Sequence, residues 1–197
     1  GNSVFSSIEV GGLRVVIAGL VLFPVAIMNI SKISKKNFIP LLVAGLFGNC
    51  LPAFLFAKAQ ETLDSSFAGI LNSLVPLFTF IIAVVFFKSR FKWLNFLGIG
   101  IGLIGAIGLI TSKNLDTSGD MSMAILVIAA TLCYAISVNT IKNYLQDLKP
   151  LVITSLAFSF VMLPTMVILI GTDFIQVATK NIQIPGLDLK VYPNPFV

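Results

Sequence analysis

The stretch FAGILNSLVPLFTFIIAVVFF, Phe67 to Phe87, carries no charged residue. A helix of that length, at about 1.5 Å of rise per residue, crosses the roughly 30 Å hydrocarbon core of a bilayer. Its polar residues keep a helical period. Ser65, Gly69, Asn72, Pro76 and Thr79 follow one another at spacings of four, three, four and three, so they share one face, with Ser73 beside them. A polar stripe surrounded by hydrocarbon must face other helices or water. Pro76 lacks a backbone N–H and predicts a kink in that helix.

The same pattern recurs on both sides. Six apolar runs, at Val10–Ile30, Phe38–Ala57, Phe67–Phe87, Trp93–Ile110, Met121–Ile141 and Leu151–Gly171, are separated by short polar joints, and Arg14 is their one charged residue. Over all 197 residues, 57% are hydrophobic and 11% are charged, with mean hydropathy +1.01. A soluble domain carries roughly 25% charged residues. The expected fold is therefore all-α, a polytopic membrane helix bundle. The chain has no His, which removes the usual catalytic base and the usual metal ligand. Cys50 and Cys133 lie inside apolar runs and fit buried thiols, not a disulfide framework. No cofactor and no metal are expected.

The remaining charge alternates. Lys32, Lys35 and Lys36 follow the first run, Lys88, Arg90 and Lys92 the third, and Lys142 and Lys149, against Asp147, the fifth. The intervening joints pair cations with acids: Lys58 with Glu61 and Asp64, Lys113 with Asp116 and Asp120, Lys180 with Asp173. Basic joints stay cytoplasmic, so the first run is expected to descend from outside to inside. That orientation predicts one further span upstream of Gly1. The net charge of +5 thus reads as a topology signal and not as a nucleic-acid surface.

Within the runs, several residues invite a second reading. The second run places Gly45, Asn49 and Pro52 at similar helical spacing, with Lys58 and Gln60 at its outer end. For Asn49 and Asn72 two readings stand: hydrogen bonds between helices, or the lining of a polar cavity. Arg14 either snorkels to the headgroups or faces protein, where Gly11 and Ala18 share its side and Glu9, Glu61 or Asp64 offer partners. Tyr134 and Asn139 are weaker candidates, and Ser137 fits a bond to its own helix. In the fourth run Gly98, Gly102 and Gly105 share a face suited to close helix packing. The spelling Gly100-x-Gly102-x-x-Gly105 resembles a dinucleotide fingerprint, but no strand precedes it. Trp93 reads as an interfacial anchor.

Taken together, Phe47–Ile110 resembles the EamA-type repeat of the drug/metabolite transporter superfamily. The hallmarks are a small-residue helix leading to LNSLVPLFT, a short basic joint and a glycine-rich helix; upstream, SSIEVGGLRVVIAGLVL resembles the second helix of that repeat, Arg14 included. The resemblance implies two five-helix repeats of inverted topology. On that plan, residues 1–115 form the first repeat without its first helix, 116–180 begin the second, and 181–197 are a tail outside the family pattern, with Pro185, Pro193 and Pro195. The six runs then correspond to helices two to seven of ten. Many relatives carry a Glu in the joint after the fourth helix; here it reads Lys88-Ser89-Arg90-Phe91-Lys92, so no role passes over from that acid.

The resemblance implies a secondary transporter in the bacterial inner membrane that exports small metabolites by alternating access. Its expected path lining is Arg14, Asn49, Asn72, Ser73 and Thr79, with Pro76 shaping the helix. Expected partners are the lipid bilayer and a small-molecule substrate, with a homodimer left open and no nucleic acid. The alternative is a truncated or non-transporting membrane protein. An enzyme is not expected, since the runs hold no Asp, Glu or His.

Overall fold

The computed structural model describes residues 6–88, 97–102, 104–105, 108 and 121–172. The described residues contain helix and no strand. Among the described residues, five segments are long and apolar enough to cross a membrane: Ser7–Lys32, Lys35–Ala59, Ser65–Val85, Ser122–Tyr144 and Pro150–Ile170. They match the first, second, third, fifth and sixth apolar runs. The fourth run is helical at 97–102, and the rest of it, with Trp93, lies largely outside the described residues; the joint from 111 to 120 and the 181–197 tail lie wholly outside them.

The first three spans begin earlier than their first apolar residue because a polar cap starts each. Helix α1 (Ser7–Asn29) opens on Ser6. The Glu9 carboxylate accepts from the Ser6 backbone N–H at 2.6 Å, and Ser6 Oγ accepts from the Glu9 N–H at 3.3 Å. This reciprocal pair satisfies donors that a helix start leaves open, and it places an anion at the positive end of the helix dipole. The second span opens as α2 (Lys35–Gly45), where Asn37 Oδ1 accepts from the Ser34 N–H at 2.7 Å. The third opens as α4 (Ser65–Asn72), where Asp64 accepts from the Ser66 N–H at 2.6 Å.

Two prolines interrupt the second and third spans. After α2 the chain makes a π-helical turn over Leu46–Cys50 and then resumes as α3 (Leu51–Ala59). Pro52 has no N–H to give and its ring crowds the carbonyl four residues back, at Gly48; a wider turn just upstream relieves that crowding. In the third span, α4 ends at Asn72, and α5 (Val75–Val85) starts with Pro76 in its first turn. The kink expected from Pro76 is thus a break in α-geometry at Ser73–Leu74. Helices α6 (Met121–Tyr144) and α7 (Pro150–Ile170) complete the set.

Packing divides the bundle by depth. Ala26, Leu41, Ala44, Leu145, Val152, Ile153, Leu156 and Ala157 form one buried cluster beside the basic joints. Ala59, Leu63, Ala68, Ala124 and Val127 form another at the opposite end. Val15, Cys50 and Val161 pack between them, against Ala53, Phe54 and Phe158. The alternation of loop charge and the grouping of helix ends therefore agree, with the joints after the first and fifth runs on the same side. Helix α1 lies along α7, while α3 and α5 both pack on α6. Many large side chains elsewhere are exposed, such as Ile17, Val21, Met28, Ile125 and Val167, as expected of surfaces that meet acyl chains.

Glycines set the closest approaches, at positions other than the glycine-rich run. A Cβ on Gly45 would overlap the Ala157 carbonyl oxygen, and one on Gly48 would overlap Ser137 Oγ. One on Gly19 would meet Met162 at 2.9 Å, and one on Gly11 would meet the Ala53 carbonyl oxygen at 3.1 Å. Nothing among the described residues lies within 4 Å of a Cβ placed on Gly98, Gly102 or Gly105. Gly45→Ala should therefore destabilise the protein by roughly 1–3 kcal/mol through overpacking against a backbone that cannot yield. Gly102→Ala should change stability by no more than about 1 kcal/mol, toward higher stability, through helix propensity alone. Thermal unfolding in detergent micelles compares the two directly.

Candidate functional site

Polar side chains in these spans mostly bond to their own helices. Thr131, Thr140, Ser155 and Ser159 each donate to a carbonyl three or four residues earlier. Ser73 Oγ does the same, to Ile70, at 2.6 Å. Other contacts among the described residues cross between helices. Cys50 Sγ meets Thr165 Oγ1 at 3.6 Å, Ser137 Oγ donates to the Ala44 carbonyl at 3.4 Å, and Asn139 Nδ2 donates to the Thr79 carbonyl at 2.9 Å. The Ser137 contact corrects the expectation of a bond to its own helix: Gly48 leaves room for α6 to approach, so the hydroxyl reaches the neighbouring span. Asn139 also donates to Ala135, and its Oδ1 is buried with no partner among the described residues. Cys50 is buried and Cys133 half-buried, both as free thiols.

Against that background one cavity stands out. Its volume is about 230 Å³, and Arg14, Asn49, Gln60, Tyr134, Phe56 and Phe158 are among its lining residues. Four separate spans supply these side chains. Arg14 comes from α1, two turns below its cap. Asn49 comes from the π turn and Gln60 from the end of α3. Tyr134 comes from the middle of α6 and Phe158 from α7. At helical rise, Gln60 and Asn49 differ in depth by about 15 Å, half the hydrocarbon thickness. The cavity therefore reaches from the end opposite the basic joints to mid-depth. Below it, the Ala26–Leu41–Leu145–Val152 cluster is closed.

The polar groups in the cavity are mostly unspent. Asn49 Nδ2 makes a long contact of 3.4 Å to the Ala44 carbonyl. Arg14, Gln60 and the Tyr134 hydroxyl form no hydrogen bond or ion pair among the described residues. The acids suggested as partners for Arg14 are engaged elsewhere. Glu9 is 4% exposed and caps its own helix. Glu61 pairs with Lys58 at 2.5 Å, and hydrogen bonds from Lys58 and then from Ser7 hold its carboxyl below the usual range, so it stays anionic and neutralised at that end. Asp64 caps α4. Phe56 and Tyr134 lie with ring centroids 6.2 Å apart and their planes tilted by 39°.

The six expected lining residues separate into groups. Arg14 and Asn49 share the cavity. Pro76 and Thr79 line a second, apolar groove of about 510 Å³ with Val75, Phe80, Gly98, Ile99 and Val138. Asn72 and Ser73 are exposed and line neither. The Asn72 carbonyl lies four residues before Pro76, where the helix opens, which turns this stretch away from the cavity. Tyr134, a weaker candidate in the sequence, and Gln60, named there only at the outer end of its span, also line the cavity; so do Phe56 and Phe158, which an apolar span gives no reason to single out. Tyr134 carried the one available signal, a phenol placed far from either interface where tyrosines usually sit.

With this geometry in hand, comparison with known proteins identifies the class. Residues 1–111 match the EamA-like transporter family, and the chain belongs to it. It is also 26% identical, over 150 residues, to an uncharacterized transporter of Archaeoglobus fulgidus; the match covers 76% of this chain and 52% of that protein, so the chain spans about half the length of that relative. No solved structure matches the chain. The chain is thus a multi-pass membrane protein of a transporter family.

A cavity lined by Arg14, Asn49 and Gln60 makes a direct prediction. In a background with Cys50 and Cys133 replaced by alanine, Ala53→Cys should react with a membrane-impermeant thiol reagent. Ile17→Cys, which is 57% exposed on the outer surface of α1, should not. Equal labelling of the two contradicts the assignment of a polar route.

Proposed function

We propose that the protein is a secondary transporter that moves small metabolites out of the cell by alternating access, seated in a bacterial inner membrane with its basic joints in the cytoplasm. Family membership and the transporter relative support movement of solute across the membrane. The observation that carries the mechanism is the cavity that Arg14, Asn49, Gln60 and Tyr134 line from the outer end to mid-depth, above an apolar plug on the basic side. Secondary transporters bind near the midplane, where interrupted helices offer free polar groups, and alternate between two accessible faces. Here the π turn at Leu46–Cys50 and the break before Pro76 are the interruptions. In this reading the structure is the outward-facing state. Rocking of α1 and α7 against α3 and α6 would close the cavity and part the Ala26–Leu41–Leu145–Val152 cluster.

The division into a first repeat at 1–115 and a second that begins near 116 is part of this proposal. So is the narrower lining set of Arg14 and Asn49, extended by Gln60 and Tyr134. The glycine face of Gly98, Gly102 and Gly105 would serve packing against a surface outside the described residues.

Reconstitution in liposomes tests the reading. Counterflow of a panel of labelled amino acids, organic acids and amines should show at least one substrate. Arg14→Leu and Asn49→Leu should each lower its rate at least tenfold, with Ile17→Ala as an unaffected control. Full activity in both cavity variants would remove the lining assignment, and no movement of any compound would remove transport.

A further inference from the structure

The geometry points to a small organic anion with a flat apolar body, a carboxylate by preference, as the ligand of the Arg14 cavity; this inference rests on the transporter reading and names its substrate class. Three observations carry it. First, the cavity contains one formal charge and no acid. Arg14 is a guanidinium without a partner among the described residues, and the acids within reach of that end are committed to the α1 cap, to Lys58 and Ser7, and to the α4 cap. A charge placed two turns into a span is costly on insertion, and it is retained where it meets a counter-charge or water. A mobile anion supplies that counter-charge; a cationic substrate would add a second uncompensated positive charge.

Second, the remaining polar groups are arranged to complete a carboxylate's hydrogen bonding. A guanidinium presents a planar fork that matches the two oxygens of a carboxylate. The Tyr134 hydroxyl and the Asn49 and Gln60 amides add neutral donors on the other elements around the same space. These residues come from α1, α3, α6 and the π turn, so one bound anion would tie together the helices that must move relative to one another.

Third, the walls select an organic ligand over an inorganic one. Phe56 and Phe158, from α3 and α7, both line the cavity, and Phe56 is tilted by 39° against the Tyr134 ring. Aromatic faces of this kind favour a flat apolar partner through offset or edge contacts. A volume of about 230 Å³ is far more than a halide needs. It is below the roughly 300–1,000 Å³ usual for drug-sized ligands, which sets the upper size near a single or fused ring bearing one acid group.

The test separates binding from movement. The full chain in neutral-lipid nanodiscs is titrated with radiolabelled benzoate, with benzamide and benzylamine as neutral and cationic isosteres. Benzoate should bind at least tenfold more tightly than either. Arg14→Gln should remove that preference, Arg14→Lys should keep part of it, and Tyr134→Phe should weaken benzoate severalfold without favouring the amine. Chloride or inorganic phosphate at equal ionic strength should compete poorly. Equal binding of the three isosteres, no binding of benzoate, or an unchanged preference in Arg14→Gln overturns the inference. So does competition by phosphate as strong as that by benzoate, which would mark Arg14 as a headgroup site. Counterflow is then measured separately. Anion binding at Arg14 without movement would sink the transporter reading and leave the site; movement of amines that ignores Arg14→Gln would sink the site and leave the transporter.

Discussion

Hydrocarbon cannot hydrogen-bond, and this constraint decides where every polar group in the chain resides. Each N–H, carbonyl, hydroxyl and amide in a span must find a partner in its own helix, in a neighbour, or in enclosed water. Thr131, Thr140, Ser155 and Ser159 take the first option and bond to carbonyls one turn back. Ser137 takes the second, in a contact between spans that Gly48 makes available, and Asn139 takes both. Arg14, Gln60 and Tyr134 take neither, and they are found around the same cavity. The site is the remainder after the local options have been used.

The prolines act within the same constraint. Pro52 and Pro76 both remove a donor in the middle of a span, and the chain answers differently in each case. At Pro52 the helix widens into a π turn, stays continuous and turns Asn49 toward α1 and α6. At Pro76 the α-geometry breaks at Ser73–Leu74, and Asn72 and Ser73 are left at the surface of the described bundle. Two asparagines in similar sequence settings, each three or four residues ahead of a proline, thereby acquire opposite positions.

This explains what the sequence disclosed and what it withheld. Apolar runs and loop charges are one-dimensional signals, so the spans at Ser7–Lys32, Lys35–Ala59, Ser65–Val85, Ser122–Tyr144 and Pro150–Ile170 were readable to within their polar caps. The caps displaced the boundaries because Ser6, Ser34 and Asp64 begin helices without being apolar. Arg14 and Asn49 were legible as residues that need an explanation. That they share one cavity depends on how α1, α3, α6 and α7 cross, which a helical period within one span does not encode. Likewise, the glycine-rich run was conspicuous by composition, whereas Gly45 and Gly48 mattered because of what lies opposite them, Ala157 and Ser137.

The central claim is that Arg14 is a ligand-facing charge inside the bundle and not an anchor to the headgroups. An anomalous-scattering map from crystals of the protein soaked with para-bromobenzoate addresses it most directly. The account predicts a bromine peak between Phe56 and Phe158, with the carboxylate within hydrogen-bond distance of the Arg14 guanidinium. A bromine peak at the lipid surface, or an Arg14 side chain extended to the headgroups with the cavity empty of ligand, would contradict it.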